Sequence, residues 1–151
     1  MATCTPNRDL LEHPLITASD LVASDVMHRE VLVVNAAASV TEVWQAMEQA
    51  GVEHAVVHVD GTLVGVVGIS ELWVAWSMDL APARQRSVLP LVIPTPCVST
   101  ETGLPQLCQV LLRSRFGAVM VLDDSGELQG IVTSEDVLAR IAVLATALEG
   151  M

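Results

Sequence analysis

The chain has no lysine and no tyrosine, and one phenylalanine and three tryptophans are its only large aromatic residues. Seven arginines face eighteen acidic residues, leaving a net charge of −11. A surface so acidic repels a phosphate backbone, and there is no basic stripe with interleaved aromatics, so nucleic acid is not expected as a partner. With aromatics at 3%, aliphatic side chains must fill the interior, and a hydrophobic share of 52% is ample for that. Cysteine is scarce too. Cys4, Cys97 and Cys108 are far apart, without the C-x-x-C pair of a zinc or redox site. Cys97 and Cys108 stand among apolar residues and read as buried structural thiols. The histidines (His13, His28, His54 and His58) form no H-E-x-x-H pair. "EHAVVHV" alternates and is β-branched, so His54 and His58 fall on a strand, and no metal site is expected.

Long apolar runs are also missing. The longest charge-free stretch, Ser87 to Thr100, contains Pro90, Pro94 and Pro96. Despite a mean hydropathy of +0.53, it is too short and too broken to span a bilayer. Met1 to Asp20 has acids by residue 9 and no apolar core of a secretion signal. The expectation is a cytoplasmic protein with no membrane partner.

What the chain does contain is itself, twice. Residues 26–60 lie over residues 89–123 at an offset of 63, bringing Ala55-Val56 onto Ala118-Val119 and Asp60 onto Asp123. Beyond the turn the offset is 65, and "GVVGISELWVAW" lies over "GIVTSEDVLARI". Each copy follows one plan. In the first, Val31 to Val34 is extended, and Ser39-Val40-Thr41-Glu42 is a capping box. Val40, Val43, Trp44 and Met47 form an apolar helical stripe, and Gly51 ends that helix. Residues 54–60 and 62–67 pair through the hairpin signal Asp60-Gly61, and a helix covers about 70–78. In the second copy a strand over 95–98 precedes a helix over 103–114 with Pro105 in its first turn. Strands over 117–122 and 128–132 flank the turn "DDSGE", and a helix runs over 134–148. The domain plan is an N-terminal extension over 1–19, a repeat over 20–78, a linker over 79–86 and a repeat over 87–148. A three-stranded sheet covered by helices on one face needs a partner for the other, and the neighbouring repeat is the obvious one. The fold class is α+β: two β-α-β-β-α repeats packed about a pseudo-two-fold axis, with clefts along their seam.

Tandem units of this kind, each ending a hairpin in a G-h-x-T-x-x-D-type turn, resemble the CBS (cystathionine β-synthase) domain paired as a Bateman module. Gly130-Ile131-Val132-Thr133-Ser134-Glu135-Asp136 fits that signature in full. The resemblance covers roughly residues 20–148. It implies a free-standing regulatory module that binds an adenosyl ligand (AMP, ADP, ATP or S-adenosylmethionine), forms a homodimer and modulates an effector protein. The other reading is a non-catalytic interaction scaffold of the same fold with no nucleotide bound. No nucleophile–base pair and no P-loop is visible, so catalysis is not expected.

By the same resemblance, Asp136 would take ribose hydroxyls and Thr133 ribose or phosphate, with Thr95, Pro96, Cys97, Arg115, Phe116, Gly117 and Ala118 around them. Thr133-x-x-Asp136 is equally a helix cap, and the two roles are compatible. The first repeat departs from the pattern: Gly68 stands for the threonine and Glu71 for the aspartate. With His54, Ala55 and Ser70 it would make a weaker site. Trp73 and Trp76, with Leu72, form an apolar helical patch that is either core or a dimer contact.

Overall fold

The structure, a computed structural model, describes residues 20–77 and 85–150. The extension expected over 1–19 and most of the linker expected over 79–86 lie outside the described residues. The first sheet has the order β1-β2-β3, built from β1 (Leu32–Asn35), β2 (His54–Val59) and β3 (Thr62–Gly68). The second, in the order β4-β5-β6, holds β4 (Cys97–Ser99), β5 (Ala118–Leu122) and β6 (Leu128–Thr133). In each sheet the first pairing is parallel, across a helix, and the second is an antiparallel hairpin. The helices are α1 (Ala23–Val26), α2 (Val40–Ala50), α3 (Ile69–Ser77), α4 (Leu104–Arg113) and α5 (Ser134–Glu149).

Local chemistry explains most of these boundaries. Ser39 Oγ accepts from the Glu42 N–H at 3.1 Å and starts α2. Gly51 ends it in the left-handed conformation, φ 67°. Asp60 and Gly61, both at positive φ, make the two-residue turn between β2 and β3. In "DDSGE", Asp123 Oδ1 accepts from Ser125 N and Oγ and from Glu127 N.

One face of each sheet packs on helices. Ala55, Val57 and Val67 meet Val40, Val43 and Met47 of α2 and Leu72 of α3. Val119, Val121 and Val132 meet Leu104, Leu107 and Leu111 of α4 and Val137 of α5. The opposite faces meet each other through Val56, Val66, Ala118, Met120 and Ile131. The buried helical positions set the correspondence between repeats at 64, since Val40 matches Leu104 and Met47 matches Leu111. The offset of 63 suggested by shared Ala-Val and Asp residues is therefore one residue short. Burial, rather than identity, sets the register.

The lead-in to each repeat crosses to the other. Leu21, Ala23 and Val26 belong to the core of the second repeat, while Val88 belongs to that of the first. Main-chain bonds fasten both crossings. His28 and Ile131 exchange N–H···O bonds at 3.0 and 3.2 Å, and Ile93 and Val66 do so at 2.9 and 3.1 Å. Two glycines at matching positions make room: a Cβ on Gly130 would stand 2.6 Å from the His28 carbonyl oxygen, and one on Gly65 would meet that of Ile93.

The thiols are not buried as the sequence suggests. Cys97 is exposed on the outer strand of its sheet, and Cys108 is partly buried beside the second core. An edge strand of three residues leaves alternate side chains open to solvent.

Candidate functional site

The crossing of the first lead-in brings His28, Arg29 and Glu30 over the end of β6, where Thr133 turns into α5. Together with Gly51–His54 of the first repeat, these residues and Thr133, Glu135 and Asp136 line a cleft of about 490 Å³. A space of about 320 Å³ adjoins it, lined by His54, Phe116, Gly117 and Thr133 among others. Both volumes fall within the roughly 300–1,000 Å³ common for small-molecule sites.

Thr133 and Asp136 first of all hold the helix. The Thr133 N–H donates to Asp136 Oδ2 at 2.8 Å, and the Asp136 N–H donates to Thr133 Oγ1 at 3.2 Å. This is a reciprocal cap. The Thr133 hydroxyl proton also goes to Oδ2, at 2.9 Å. A third donor comes from 108 residues away: His28 Nδ1 lies 2.8 Å from the same oxygen. Oδ2 is thus saturated, while Oδ1 accepts from no described residue. Burial pushes the Asp136 carboxyl up, but the bonds from His28 and Thr133 together outweigh it and hold the group below its ordinary range. Asp136 is therefore a carboxylate, and His28 Nδ1–H is the donor. That bond raises the His28 imidazole against the opposing effect of burial. His54 behaves differently: burial lowers it, and it is neutral at neutral pH.

The residues singled out in the sequence are divided by the seam. Thr133, Asp136 and His54 share the main cleft, and Phe116 and Gly117 line its annex. Phe116 meets His54 edge-on, with ring centroids 5.2 Å apart. Arg115 is exposed in the loop before them, and Ala118 is buried between the sheets. Thr95, Pro96 and Cys97 line neither space. Thr95 Oγ1 donates to the Ile93 carbonyl at 2.8 Å, Pro96 accepts from Met120 N, and Cys97 pairs with Met120.

In the first repeat, Ala55 is buried toward α2 and Ser70 is exposed at the start of α3. Gly68 lies under the Phe116 ring: a Cβ there would stand 2.5 Å from both Phe116 Cζ and Glu71 Oε2. That oxygen is buried with no hydrogen-bond partner among the described residues. Among the described residues no three histidine, cysteine or acidic side chains group as a metal site would need.

The CBS domain family matches the chain twice, over residues 22–72 and 90–143. The chain belongs to that family. Solved structures agree on the fold of a CBS pair. The CBS-pair protein CBSX2 of Arabidopsis thaliana, in complex with AMP, aligns with a TM-score of 0.64 at 26% identity, over 82% of this chain and 98% of that one. The cytosolic domain of the Mg²⁺ channel MgtE, in complex with ATP, also aligns at 0.64 and 26% identity, over 78% of this chain and 48% of that one. A hemolysin-like protein containing a CBS domain, from Oenococcus oeni PSU, aligns at 0.70 and 19% identity, over 81% and 90%. No curated protein sequence matches.

What sequence reasoning left out of the site in this CBS pair are three residues of the first lead-in. His28, Arg29 and Glu30 reach the cleft only because each lead-in crosses to the opposite repeat.

Proposed function

We propose that this CBS pair is a regulatory module that binds an adenosyl ligand in the cleft of Asp136 and modulates a partner protein, without catalysis of its own. The observation that carries this reading is the Asp136 carboxylate: ionised, fixed by three donors on Oδ2, with Oδ1 left for a ribose hydroxyl. The two relatives in complex with AMP and ATP support the ligand class. Among the described residues, Glu30, Glu53 and Glu135 stand around the cleft against one guanidinium, that of Arg29. That balance favours AMP or S-adenosylmethionine over the more highly charged ATP.

The site expected around Gly68 and Glu71 is the weaker of the two, because the Phe116 ring lies against Gly68 and no hydroxyl stands at that position. The module acts as a homodimer, with the tryptophans of α2 and α3 at the contact.

Thermal unfolding with AMP, ADP, ATP and S-adenosylmethionine, each with and without magnesium, tests the ligand. A compound at about a hundred times its Kd adds about 2.7 kcal/mol, or roughly 5–10 °C for a chain this size. Asp136→Ala abolishes the shift and itself costs about 1 kcal/mol as a lost cap. Asp136→Asn, which keeps a capping oxygen, separates the two effects. No shift with any compound overturns the reading in favour of a scaffold without nucleotide.

A further inference from the structure

One of the shortest polar contacts in the cleft, His28 to Asp136 at 2.8 Å, joins its two repeats, and the sequence motif says nothing of it. His28 is held in place by its own main chain, which exchanges two hydrogen bonds with Ile131 on β6. Gly130 permits that approach. The imidazole reaches Asp136 from this fixed main chain, and its side chain is 39% exposed, against 24% for Asp136. The position matching His28 in the other crossing is Ile93, which exchanges the equivalent main-chain bonds with Val66. An isoleucine would complete the packing but could not donate to a carboxylate. The difference gives one cleft of the pair a feature that its pseudo-symmetry mate lacks.

We propose that His28 is a latch on this cleft: its imidazole holds Asp136 Oδ2 until a ribose, with one hydroxyl already on Oδ1, brings its second hydroxyl to that oxygen in place of His28, so that binding releases a proton. The latch rests on the reading of Asp136 as a ligand contact. The groups facing His28 fit a switch near neutrality. Asp136 approaches from α5 and His54 from β2. Glu53 and Glu135 line the same walls, and Arg29 and Glu30 adjoin it on its own segment.

Contact with Asp136 keeps the imidazole protonated to a higher pH than usual. A ligand that removes this contact lets the proton go. Affinity is then full above the raised value, falls as the pH drops through it, and levels off below the ordinary value of the imidazole.

Calorimetric titration with adenosine, AMP and S-adenosylmethionine between about pH 5 and 8 tests the latch. In the wild-type protein affinity rises with pH, by at most about tenfold per pH unit, and a buffer-dependent heat reports proton release. His28→Asn keeps an amide donor at the same reach but does not titrate. It removes the part of the slope that belongs to the latch, while any slope due to the AMP phosphate or to His54 survives in both proteins. In the free protein, NMR titration of His28 shows a raised midpoint that returns toward normal in Asp136→Asn. Binding with the same slope in wild type and His28→Asn, or with proton uptake, overturns the latch and leaves the adenosyl site standing. No binding to wild type or to His28→Ala at any pH overturns both.

Discussion

His28 and Asp136 stabilise each other over a bounded range of pH. The bond to Asp136 raises the His28 imidazole above its ordinary 6.5. Its contribution to folding is complete below that value and is lost as pH rises through the raised one. Asp136 is held below its ordinary 3.8 by His28 and Thr133, despite burial. Its contribution is complete above 3.8 and is lost as pH falls through the lowered value. The pair is therefore strongest between about pH 4 and 6.5. The difference in Tm between wild type and His28→Asn is largest near the middle of that window and shrinks toward pH 8; a difference that does not change with pH would show that the pair adds nothing. Gly68 offers a second test. Restoring a threonine there drives its Cβ into Phe116 and Glu71 and costs about 1–3 kcal/mol. In a Phe116→Ala background the same change costs less, because the ring that it meets is gone. Equal costs in denaturant unfolding would place the conflict elsewhere.

Among the elements, those specified by near neighbours were legible in the sequence. Ser39 at the start of α2, Asp60-Gly61 between β2 and β3, and the apolar stripe of Val40, Val43 and Met47 each act within a few residues, and all stand where the pattern put them. The Thr133–Asp136 cap is equally local. The crossing lead-ins are not. They depend on main-chain bonds between distant segments, 103 residues apart for His28 and Ile131 and 27 for Val66 and Ile93, and on glycines whose reason is a neighbour absent from their own stretch of sequence. Hence the family resemblance assigns Thr95, Pro96 and Cys97 to a cleft that they do not line, while His28 stands outside the site it implies. Gly130 makes this testable. Alanine there pushes the His28 carbonyl and Met27 away from β6, costing about 1–3 kcal/mol. The same change also breaks the His28–Asp136 contact, seen as a normal His28 titration by NMR. An unaltered titration would mean that the lead-in is held by its other bonds alone.

Over the whole molecule, the acidic surface and the tryptophan face pull in different directions. A net charge of −11 keeps copies apart, whereas Trp73 and Val74, each 59% exposed, draw apolar surface together. Trp44 stacks on Trp76 at 5.9 Å and meets Trp73 tilted at 5.3 Å, so the three rings form one continuous cluster. Leu138 and Ile141, the counterparts of Trp73 and Trp76 on α5, are exposed as well. In sedimentation equilibrium the wild-type chain is expected as a dimer that Trp73→Glu converts to monomer, with salt strengthening the wild-type dimer by screening its charge. A wild-type monomer at all concentrations would remove the dimer from the proposal.

The exchanged lead-ins make each repeat incomplete in the same way. The first lacks the layer that Val88 supplies, and the second lacks Leu21, Ala23 and Val26. Fragment complementation follows. A chain broken between residues 77 and 85 yields two pieces, each carrying the missing edge of the other. Neither half would hold its sheet alone, yet mixed in equal amounts they would recover the fold without a peptide bond between them. A lone repeat would be driven to lend its lead-in to a second copy of itself. The tandem arrangement is then that association made permanent by covalent connection.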